Sequence, residues 1–212
     1  MKQFCIFDMD GTLVDSMGYW RQLERFFLSQ KGIHGDIDPI LELAKPLSLI
    51  ESTALFIKHF NLQGTPESLA AEMQSVMDAH YRNDILLKPG AKEYLKTLKS
   101  QGCSMCIASA TPKPLIHTCL SHLGVIDMFD FILSCDEVGS GKNRPDVFLE
   151  AVHRMGSTPT ETAIFEDSLQ AVQTGKQAGF YVVGIQDSYN KPYWDVLANT
   201  ADEIIFDWQV AF

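Results

Sequence analysis

The feature that most restricts the fold of this chain is a regular alternation of strand-like and helix-like segments from residue 90 onward. Short apolar runs are typical of buried strands, and helical patterns separate them. Strands that alternate with helices favour a parallel sheet with helices on both faces. The chain is therefore predicted to be an α/β protein with a doubly wound parallel sheet, a Rossmann-like core. The predicted strands after the first cover 103–109, 129–134, 162–165, 181–185 and 203–206.

A long helical segment interrupts this alternation directly after the first strand. Residues 15–83 contain no strand pattern, and their apolar residues recur at helical spacing. We expect an inserted all-helical cap domain over residues 15–86, with the core formed by residues 1–14 and 87–212. The predicted cap helices cover 15–31, 37–43, 48–60 and 65–82.

The first predicted strand ends in two aspartates. Phe7 closes an apolar run, and the motif Asp8-Met9-Asp10-Gly11-Thr12 follows it. On an extended strand the side chains of Asp8 and Asp10 would share one face, and Gly11 allows a sharp turn. One carboxylate of such a pair can attack phosphorus while the other transfers a proton. Taken alone, the motif is also compatible with a solvated turn after an edge strand.

Three further polar motifs lie at or just after predicted strand ends. Because ligands bind beyond the carboxyl ends of the strands in such sheets, residues far apart in the sequence can converge there. The motifs are Ile107-Ala108-Ser109-Ala110-Thr111, Gly141-Lys142-Asn143-Arg144-Pro145-Asp146-Val147-Phe148-Leu149 and Ile164-Phe165-Glu166-Asp167-Ser168. With the first motif, this order resembles the four motifs of the haloacid dehalogenase-like hydrolase superfamily, in its helical-cap branch of β-phosphoglucomutases and phosphoglycolate phosphatases. The resemblance extends from residue 3 to about residue 206.

The resemblance implies a catalytic role for each motif. Asp8 would be the nucleophile that forms an aspartyl-phosphate, and Asp10 would act as the acid and then the base. The backbone N–H of Ala110 and the side chains of Ser109 and Lys142 would bind the phosphate. Considered separately, Ser109 could instead cap a helix, and Lys142 could be an ordinary loop lysine.

A cluster of carboxylates at this site predicts a metal ion. In one small pocket, two like charges about 4 Å apart would repel by about 4 kcal/mol at an effective dielectric constant of about 20. Oxygen ligands favour a hard divalent ion, and Mg²⁺ is the predicted cofactor. The resemblance assigns metal contacts to Asp8, the backbone carbonyl of Asp10, and Asp167, with Glu166 as a direct or water-mediated ligand. Glu166 and Asp167 would also suit the N-terminus of a helix.

Substrate selection is expected to lie in the cap. Tyr19, Trp20 and Arg21 on its first helix are candidate contacts, as is Lys45 in the loop over 44–48. The alternatives are that Trp20 packs in the core of the cap and that Lys45 faces solvent. Closure of such a cap over a small substrate would exclude water from the site.

The predicted activity is Mg²⁺-dependent hydrolysis of small phosphorylated metabolites. A phosphosugar mutase is the nearest alternative, but β-phosphoglucomutases carry a cap His where Trp20 stands, and an Arg in a loop that has none here, over 46–52. Asp10 argues against a dehalogenase, because displacing halide needs no leaving-group acid. Asp10 and the cap also argue against a phospho-acceptor signalling module, because both features serve turnover.

Composition restricts the partners. The 212 residues carry a formal net charge of −10, whereas binding to nucleic acid or anionic membranes needs clustered Lys and Arg. No apolar run approaches the ~20 residues of a membrane span, and the N-terminus shows no signal-peptide pattern. The five cysteines suit a reducing compartment, and Cys103 and Cys106 are expected on opposite faces of a strand. We expect a cytoplasmic monomer or weak dimer.

Overall fold

The structure, a computed structural model, describes residues 2–211 and contains a six-stranded parallel sheet. The order across the sheet is β3-β2-β1-β4-β5-β6, and every neighbouring pair is parallel. The chain extends the sheet from β1 in both directions, which confirms the predicted doubly wound α/β fold. The strands are β1 (Phe4–Phe7), β2 (Ser104–Ser109), β3 (Phe131–Ser134), β4 (Thr162–Glu166), β5 (Tyr181–Ile185) and β6 (Glu203–Ile205).

Four helices follow β1 and form the helical insert, which confirms the predicted all-helical cap. Thr65 precedes the last of them, and its hydroxyl accepts a hydrogen bond from the backbone N–H of Ser68 at 3.2 Å. Pro66 occupies the first turn of that helix, where its missing N–H leaves no bond unmade. The helices are α1 (Met17–Gln30), α2 (Asp38–Ala44), α3 (Leu49–Phe60) and α4 (Pro66–Asn83).

Further helices connect the strands, as parallel pairing requires. The helix α7, which begins after β3, has four residues and is too short for its hydrophobic periodicity to predict it. Short 3₁₀ turns cover 126–128, 159–161, 191–193 and 208–210. The connecting helices are α5 (Ala91–Ser100), α6 (Lys113–His122), α7 (Cys135–Val138), α8 (Asp146–Met155), α9 (Leu169–Gln177) and α10 (Trp194–Thr200).

Apolar side chains pack on both faces of the sheet, and β1 contributes to each group. Phe7 packs on the face that carries the helical insert, α5 and α6, and its ring stacks on Phe165 with centroids 4.3 Å apart. Ile6 packs on the other face with side chains of α8 and α9. Because β1 is buried on both faces, the residues that follow it start from a fixed position.

The chain leaves and re-enters the core through two neighbouring segments. Val14 and Leu87 form an isolated antiparallel bridge. The backbone N–H of Lys88 donates to the carbonyl oxygen of Leu13 at 2.8 Å, which extends this pairing. The division into a cap over residues 15–86 and a core stays a prediction, which the pairing supports.

The cysteines are all free thiols. Cys103 packs with the apolar group on one face of the sheet and Cys106 with the group on the other, as their spacing predicts. Over residues 2–211 there is no helix both long and apolar enough to cross a membrane.

Candidate active site

A cavity opens beyond the carboxyl ends of β1, β2 and β4, where the helical insert faces the sheet. Polar residues of all four motifs form its sheet side, and the insert forms the opposite wall. Motifs that are far apart in the sequence therefore converge at one edge of the sheet. The lining residues include Asp8, Asp10, Ser109, Ala110, Thr111, Lys142, Glu166 and Asp167 from the sheet side, and Trp20, Arg21, Glu24, Lys45, Pro46 and Leu47 from the insert.

Asp8 is the first residue after β1. Its backbone N–H donates to the carbonyl oxygen of Phe165 at 3.0 Å, so the sheet pairing extends to this residue. Its carboxylate Oδ1 accepts a hydrogen bond from Lys142 Nζ, and only 6% of the residue is exposed. Burial raises the pKa of Asp8, and the positive charge of Lys142 opposes that shift. The result is a poorly solvated carboxylate fixed beside a cation.

The turn after β1 separates the two aspartates. Because β1 ends at Phe7, Asp8 and Asp10 lie just beyond the strand, and both line the cavity. Gly11 in this turn has a φ of +79°, and a Cβ there would lie 2.5 Å from Asp167 Oδ2. Glycine therefore permits both the turn and its close approach to the fourth motif.

Asp10 is held by four hydrogen-bond donors. Its Oδ1 accepts from the hydroxyls of Ser16 and Tyr81, both at 2.5 Å, and its Oδ2 accepts from the hydroxyl of Thr111 at 2.7 Å. The indole Nε1 of Trp20 lies 3.4 Å from Oδ1 as a fourth donor. Burial raises the pKa of Asp10 and outweighs the opposing effect of these donors.

Lys142 lies between two carboxylates. Its Nζ donates to Asp8 Oδ1 and to Glu166 Oε1, the latter at 2.9 Å. Burial alone would lower the pKa of Lys142, but the charges of Asp8 and Glu166 outweigh burial and raise it. Burial raises the pKa of Glu166 to about 8. Lys142 is therefore a buried ion-pair partner and not the ordinary loop lysine that its sequence position also allowed.

The backbone around Lys142 also contacts the helical insert. The N–H of Lys142 donates to the carbonyl oxygen of Pro46 at 2.8 Å. A Cβ on Gly141 would lie 2.6 Å from the same oxygen and 2.7 Å from Glu51 Oε2. Glycine at this position lets the insert loop approach the residue that holds Asp8.

Ser109 and Ala110 lie at the end of β2 and line the cavity. The Ser109 hydroxyl accepts a hydrogen bond from the backbone N–H of Thr111 at 3.1 Å, so it orders the turn after the strand. The hydroxyl keeps its own proton as a donor. Ser109 does not cap the next helix, because α6 begins at Lys113 after Pro112, and its contact to an anion stays a prediction.

Three carboxylates form a candidate metal centre. One oxygen each of Asp8, Glu166 and Asp167 lies within 4.8 Å of the others. Asp167 Oδ2 is buried without a hydrogen-bond partner, and Lys45 Nζ is 3.8 Å away. Burial raises the pKa of Asp167 to about 6. Glu166 Oε2 accepts from the backbone N–H of Asp167 at 2.8 Å, and both residues precede Ser168, the residue before α9. A buried carboxylate oxygen without a hydrogen-bond partner, beside two other carboxylates, fits a hard divalent cation.

The first helix of the insert turns one face toward the cavity. Trp20, Arg21 and Glu24 line it, at the spacing of successive helical turns. Tyr19 is not part of the described cavity wall, and its ring packs against that of His80 with centroids 4.8 Å apart. Each residue advances the helix by about 100°. Of the predicted aromatic contacts, Trp20 therefore reaches the cavity, while Tyr19 faces a neighbouring helix.

Lys45 reaches the cavity from the insert. Its Nζ donates to the hydroxyl of Tyr193 and lies 3.8 Å from Asp167 Oδ2. Its side chain is only 9% exposed, so it does not face solvent. Burial would lower the pKa of Lys45, but the charge of Asp167 helps to outweigh burial, and the pKa is raised. A second lysine therefore faces the carboxylate cluster.

The sequence matches the model of the haloacid dehalogenase-like hydrolase family over residues 3–179. The chain belongs to this family. The match confirms the resemblance that the four motifs indicated. In the structure, those four motifs line one cavity.

Individual relatives of this haloacid dehalogenase-like hydrolase include two phosphatases. A bifunctional riboflavin kinase/FMN phosphatase of Arabidopsis thaliana is 29% identical to this chain over 94% of its residues. The chain spans about half, 52%, of the length of that relative. The fructose-1-phosphate phosphatase YqaB of Escherichia coli K12 is 28% identical over 85% of this chain and 95% of its own length. The crystal structure of CbbY from Rhodobacter sphaeroides in complex with phosphate matches with a TM-score of 0.85 at 22% identity, over 99% of this chain and 96% of that one.

Several residues that hold the site of this haloacid dehalogenase-like hydrolase are missed by sequence reasoning. Asn190 Nδ2 donates to the backbone carbonyl of Asp167 at 3.0 Å, and nothing in its local sequence indicates this. Thr111 is the last residue of the second motif and lies just after β2, and this position could have indicated that it contributes to the site. Tyr81 continues the buried face of α4, and that pattern predicts only a core residue. Ser16 precedes α1 without any motif of its own.

Proposed function

We propose that this protein is a Mg²⁺-dependent phosphatase that hydrolyses small phosphorylated metabolites through an aspartyl-phosphate. The observation that carries the proposal is the presence in one cavity of Asp8, held by Lys142, and Asp10, held by its own donors. The prediction of a phosphoric monoester hydrolase is confirmed at the level of class by the family match and the phosphatase relatives. The roles of individual residues are part of the proposal.

In the first step Asp8 attacks the phosphorus of the bound ester. A bond forms between a carboxylate oxygen and phosphorus, the bond to the leaving oxygen breaks, and Asp10 gives that oxygen a proton. The Lys142 ammonium, the Ser109 hydroxyl and the Ala110 N–H stabilise the charge on the phosphate oxygens. Preorganised donors of this kind need not reorient during the reaction, which is why their fixed positions matter.

In the second step the aspartyl-phosphate is hydrolysed. Asp10, deprotonated by the first step, takes a proton from a water molecule that attacks phosphorus. The bond between phosphorus and the Asp8 oxygen breaks, inorganic phosphate is formed, and the Asp8 carboxylate is restored. The same residue thus serves as acid and then as base, and the cycle returns both aspartates to their starting state.

The carboxylates of Asp8, Glu166 and Asp167 would hold the Mg²⁺ ion, together with the backbone carbonyl of Asp10. The Oδ2 of Asp167, which is buried without a hydrogen-bond partner, supports this assignment. A bound Mg²⁺ ion supplies positive charge that offsets the carboxylates and the phosphate. Without such a charge, the first-step nucleophile and an incoming phosphate would repel each other.

The helical insert would receive the part of the substrate beyond the phosphate. Trp20, Arg21 and Lys45 offer an indole ring and two cations on the wall opposite the motifs. Packing of the insert over the substrate would exclude water and strengthen the electrostatic interactions inside. The names of the relatives, which include FMN and fructose 1-phosphate as substrates, support a small phosphorylated metabolite as the class.

We also propose that the protein acts as a cytoplasmic monomer or weak dimer, without nucleic-acid or membrane partners. The formal net charge of −10 supports the exclusion of polyanionic partners. The free cysteines support a reducing compartment.

Transfer of phosphate between sugar positions is the alternative activity, and Trp20 bears on it. An indole N–H near Asp10 cannot exchange a proton near neutral pH, whereas a His in its place could. We therefore expect free phosphate, and little glucose 6-phosphate, from β-glucose 1-phosphate with Mg²⁺ and a trace of the 1,6-bisphosphate. Rapid formation of glucose 6-phosphate with little free phosphate would favour the mutase.

Metal dependence tests the main proposal directly. Purified protein should release phosphate from a panel of phosphorylated metabolites in Mg²⁺, lose this activity in excess chelator and regain it when Mg²⁺ is restored. Mg²⁺ at about 100 times its Kd should also raise the free energy of unfolding by about 2.7 kcal/mol, if it binds only the folded state. Full activity in excess chelator would refute the assigned mechanism.

A further inference from the structure

Tyr81 joins the helical insert to Asp10. It lies in α4 and is fully buried, and its hydroxyl donates to Asp10 Oδ1 at 2.5 Å. The same hydroxyl accepts a hydrogen bond from the indole Nε1 of Trp20 in α1 at 2.9 Å. Two helices of the insert therefore meet at one oxygen of a carboxylate that belongs to the turn after β1.

The donors around Asp10 fix the plane of its carboxylate. Tyr81 and Ser16 both donate to Oδ1, while Thr111, which follows β2, donates to Oδ2. Rotation of the carboxylate about its Cβ–Cγ bond would break hydrogen bonds at both oxygens. Because Tyr81 lies on the insert and Thr111 on the sheet side, the orientation of Asp10 depends on how the insert sits against the core.

We propose that Tyr81, supported by Trp20, is a positioning residue that aligns Asp10 for proton transfer to the leaving oxygen. The inference rests on the proposed phosphatase function and deepens it. It gives the insert a part in the acid–base step, in addition to its part in receiving the substrate. Tyr81 does not exchange the proton itself, since its hydroxyl is already donated to Asp10.

The acidity of the leaving group separates this role from a merely structural one. An alkyl leaving group needs a proton when the bond to phosphorus breaks, whereas a nitrophenyl leaving group does not. A misaligned Asp10 should therefore slow the first class of ester and spare the second. The ratio kcat/KM isolates this step, because it reports the transition state relative to free enzyme and substrate.

Tyr81→Phe tests the proposal, because it removes the hydroxyl and keeps the ring. On the best alkyl phosphate of the panel, kcat/KM should fall by at least about tenfold, a part of the ~10²–10⁴-fold that positioned proton transfer contributes. On p-nitrophenyl phosphate the fall should stay within about twofold. Asp10→Asn sets the upper limit of the same leaving-group effect.

Two further variants complete the design. Trp20→Phe should show the same leaving-group dependence at smaller size, because the indole acts largely through the Tyr81 hydroxyl. Thr53→Val is the matched control: it removes a fully buried hydroxyl of α3 that donates to the carbonyl oxygen of Pro66 at 2.9 Å. It should lower thermal stability without discriminating between leaving groups.

The outcomes are distinct. An equal loss on alkyl and aryl esters, or no loss on either, would overturn the role of Tyr81. If circular dichroism shows that Tyr81→Phe does not fold, Trp20→Phe decides the question, and a leaving-group effect there supports the proposal while its absence overturns it. A wild-type protein that releases phosphate from no ester would instead overturn the proposed function, and this inference with it.

Discussion

Two lysines face the same carboxylate cluster from different regions, and their surroundings differ. Lys142, on the sheet side, is 2% exposed and donates hydrogen bonds to both Asp8 and Glu166. Lys45, on the insert, donates to Tyr193 and stays 3.8 Å from Asp167. The lysine of the sheet side therefore donates hydrogen bonds directly to the carboxylate cluster, whereas the lysine of the insert approaches the cluster at longer range.

The backbone explains this difference. Asp8 follows a strand that is buried on both faces, and its N–H is still paired with Phe165. Lys45 lies in a loop that contacts the core through the carbonyl oxygen of Pro46. A strand end gives a fixed position suited to chemistry common to all phosphate esters, and a loop gives a position that can be adapted to one substrate.

The largest expected effect lies on the sheet side. Asp8→Asn replaces the proposed nucleophile by an amide, which is a poor nucleophile, so turnover of every substrate should fall to background. Acid-quenched reactions with labelled substrate should trap no phospho-enzyme. Asp15→Asn, which changes an exposed carboxylate outside the cavity, is the control and should keep wild-type turnover. Near-native activity of Asp8→Asn would remove Asp8 from the role of nucleophile.

The two lysines provide a direct test of the comparison. Lys142→Met should lower kcat and reduce the free energy of unfolding by about 3–5 kcal/mol, because two buried carboxylates lose their cation. Lys45→Met should reduce it less, by about 1–3 kcal/mol, and should chiefly raise KM. Urea denaturation without Mg²⁺ and steady-state kinetics with Mg²⁺ give the two quantities. Equal effects of the two variants on kcat would contradict the difference drawn here.

The smallest expected effect lies where the two regions touch. Gly141→Ala should displace the insert loop, because the new Cβ would lie 2.6 Å from Pro46 O. We expect a loss of about 1–3 kcal/mol in stability and a modest rise in KM. Gly18→Ala in α1 is the matched control, since its Cβ would meet only the side chain of Tyr189, whose hydroxyl is nearest at 3.3 Å. A KM unchanged in Gly141→Ala would show that the loop does not set substrate affinity.

Much of the fold could be predicted from the sequence, because buried parallel strands leave continuous apolar runs. The strand predicted over 162–165 is observed as Thr162–Glu166. The short helix α7 could not be predicted from hydrophobic periodicity. Ser134 and Glu137 form a capping box at its start, however, and that pattern is visible in the sequence. Local signals of this kind predict the ends of elements better than their contacts.

The part of the site that the sheet topology determines could be predicted from the sequence. Strand ends of a parallel sheet meet at one edge, so the convergence of Asp8, Lys142 and Asp167 followed from their positions. Tyr81 could not be predicted, because its contact with Asp10 depends on how α4 packs and not on a local pattern. The sequence could not decide whether Tyr19 or Trp20 reaches the cavity. Their different directions around the axis of α1 place Trp20 on the cavity wall and Tyr19 against His80.

The bridge between Val14 and Leu87 has a consequence for how such a protein can change over generations. The helices of the insert are consecutive in the chain, and because its two ends are neighbours it joins the core at one location. A single recombination event can replace the insert and leave every strand end in place. A lineage can in this way acquire a new substrate while it inherits its phosphate chemistry unaltered.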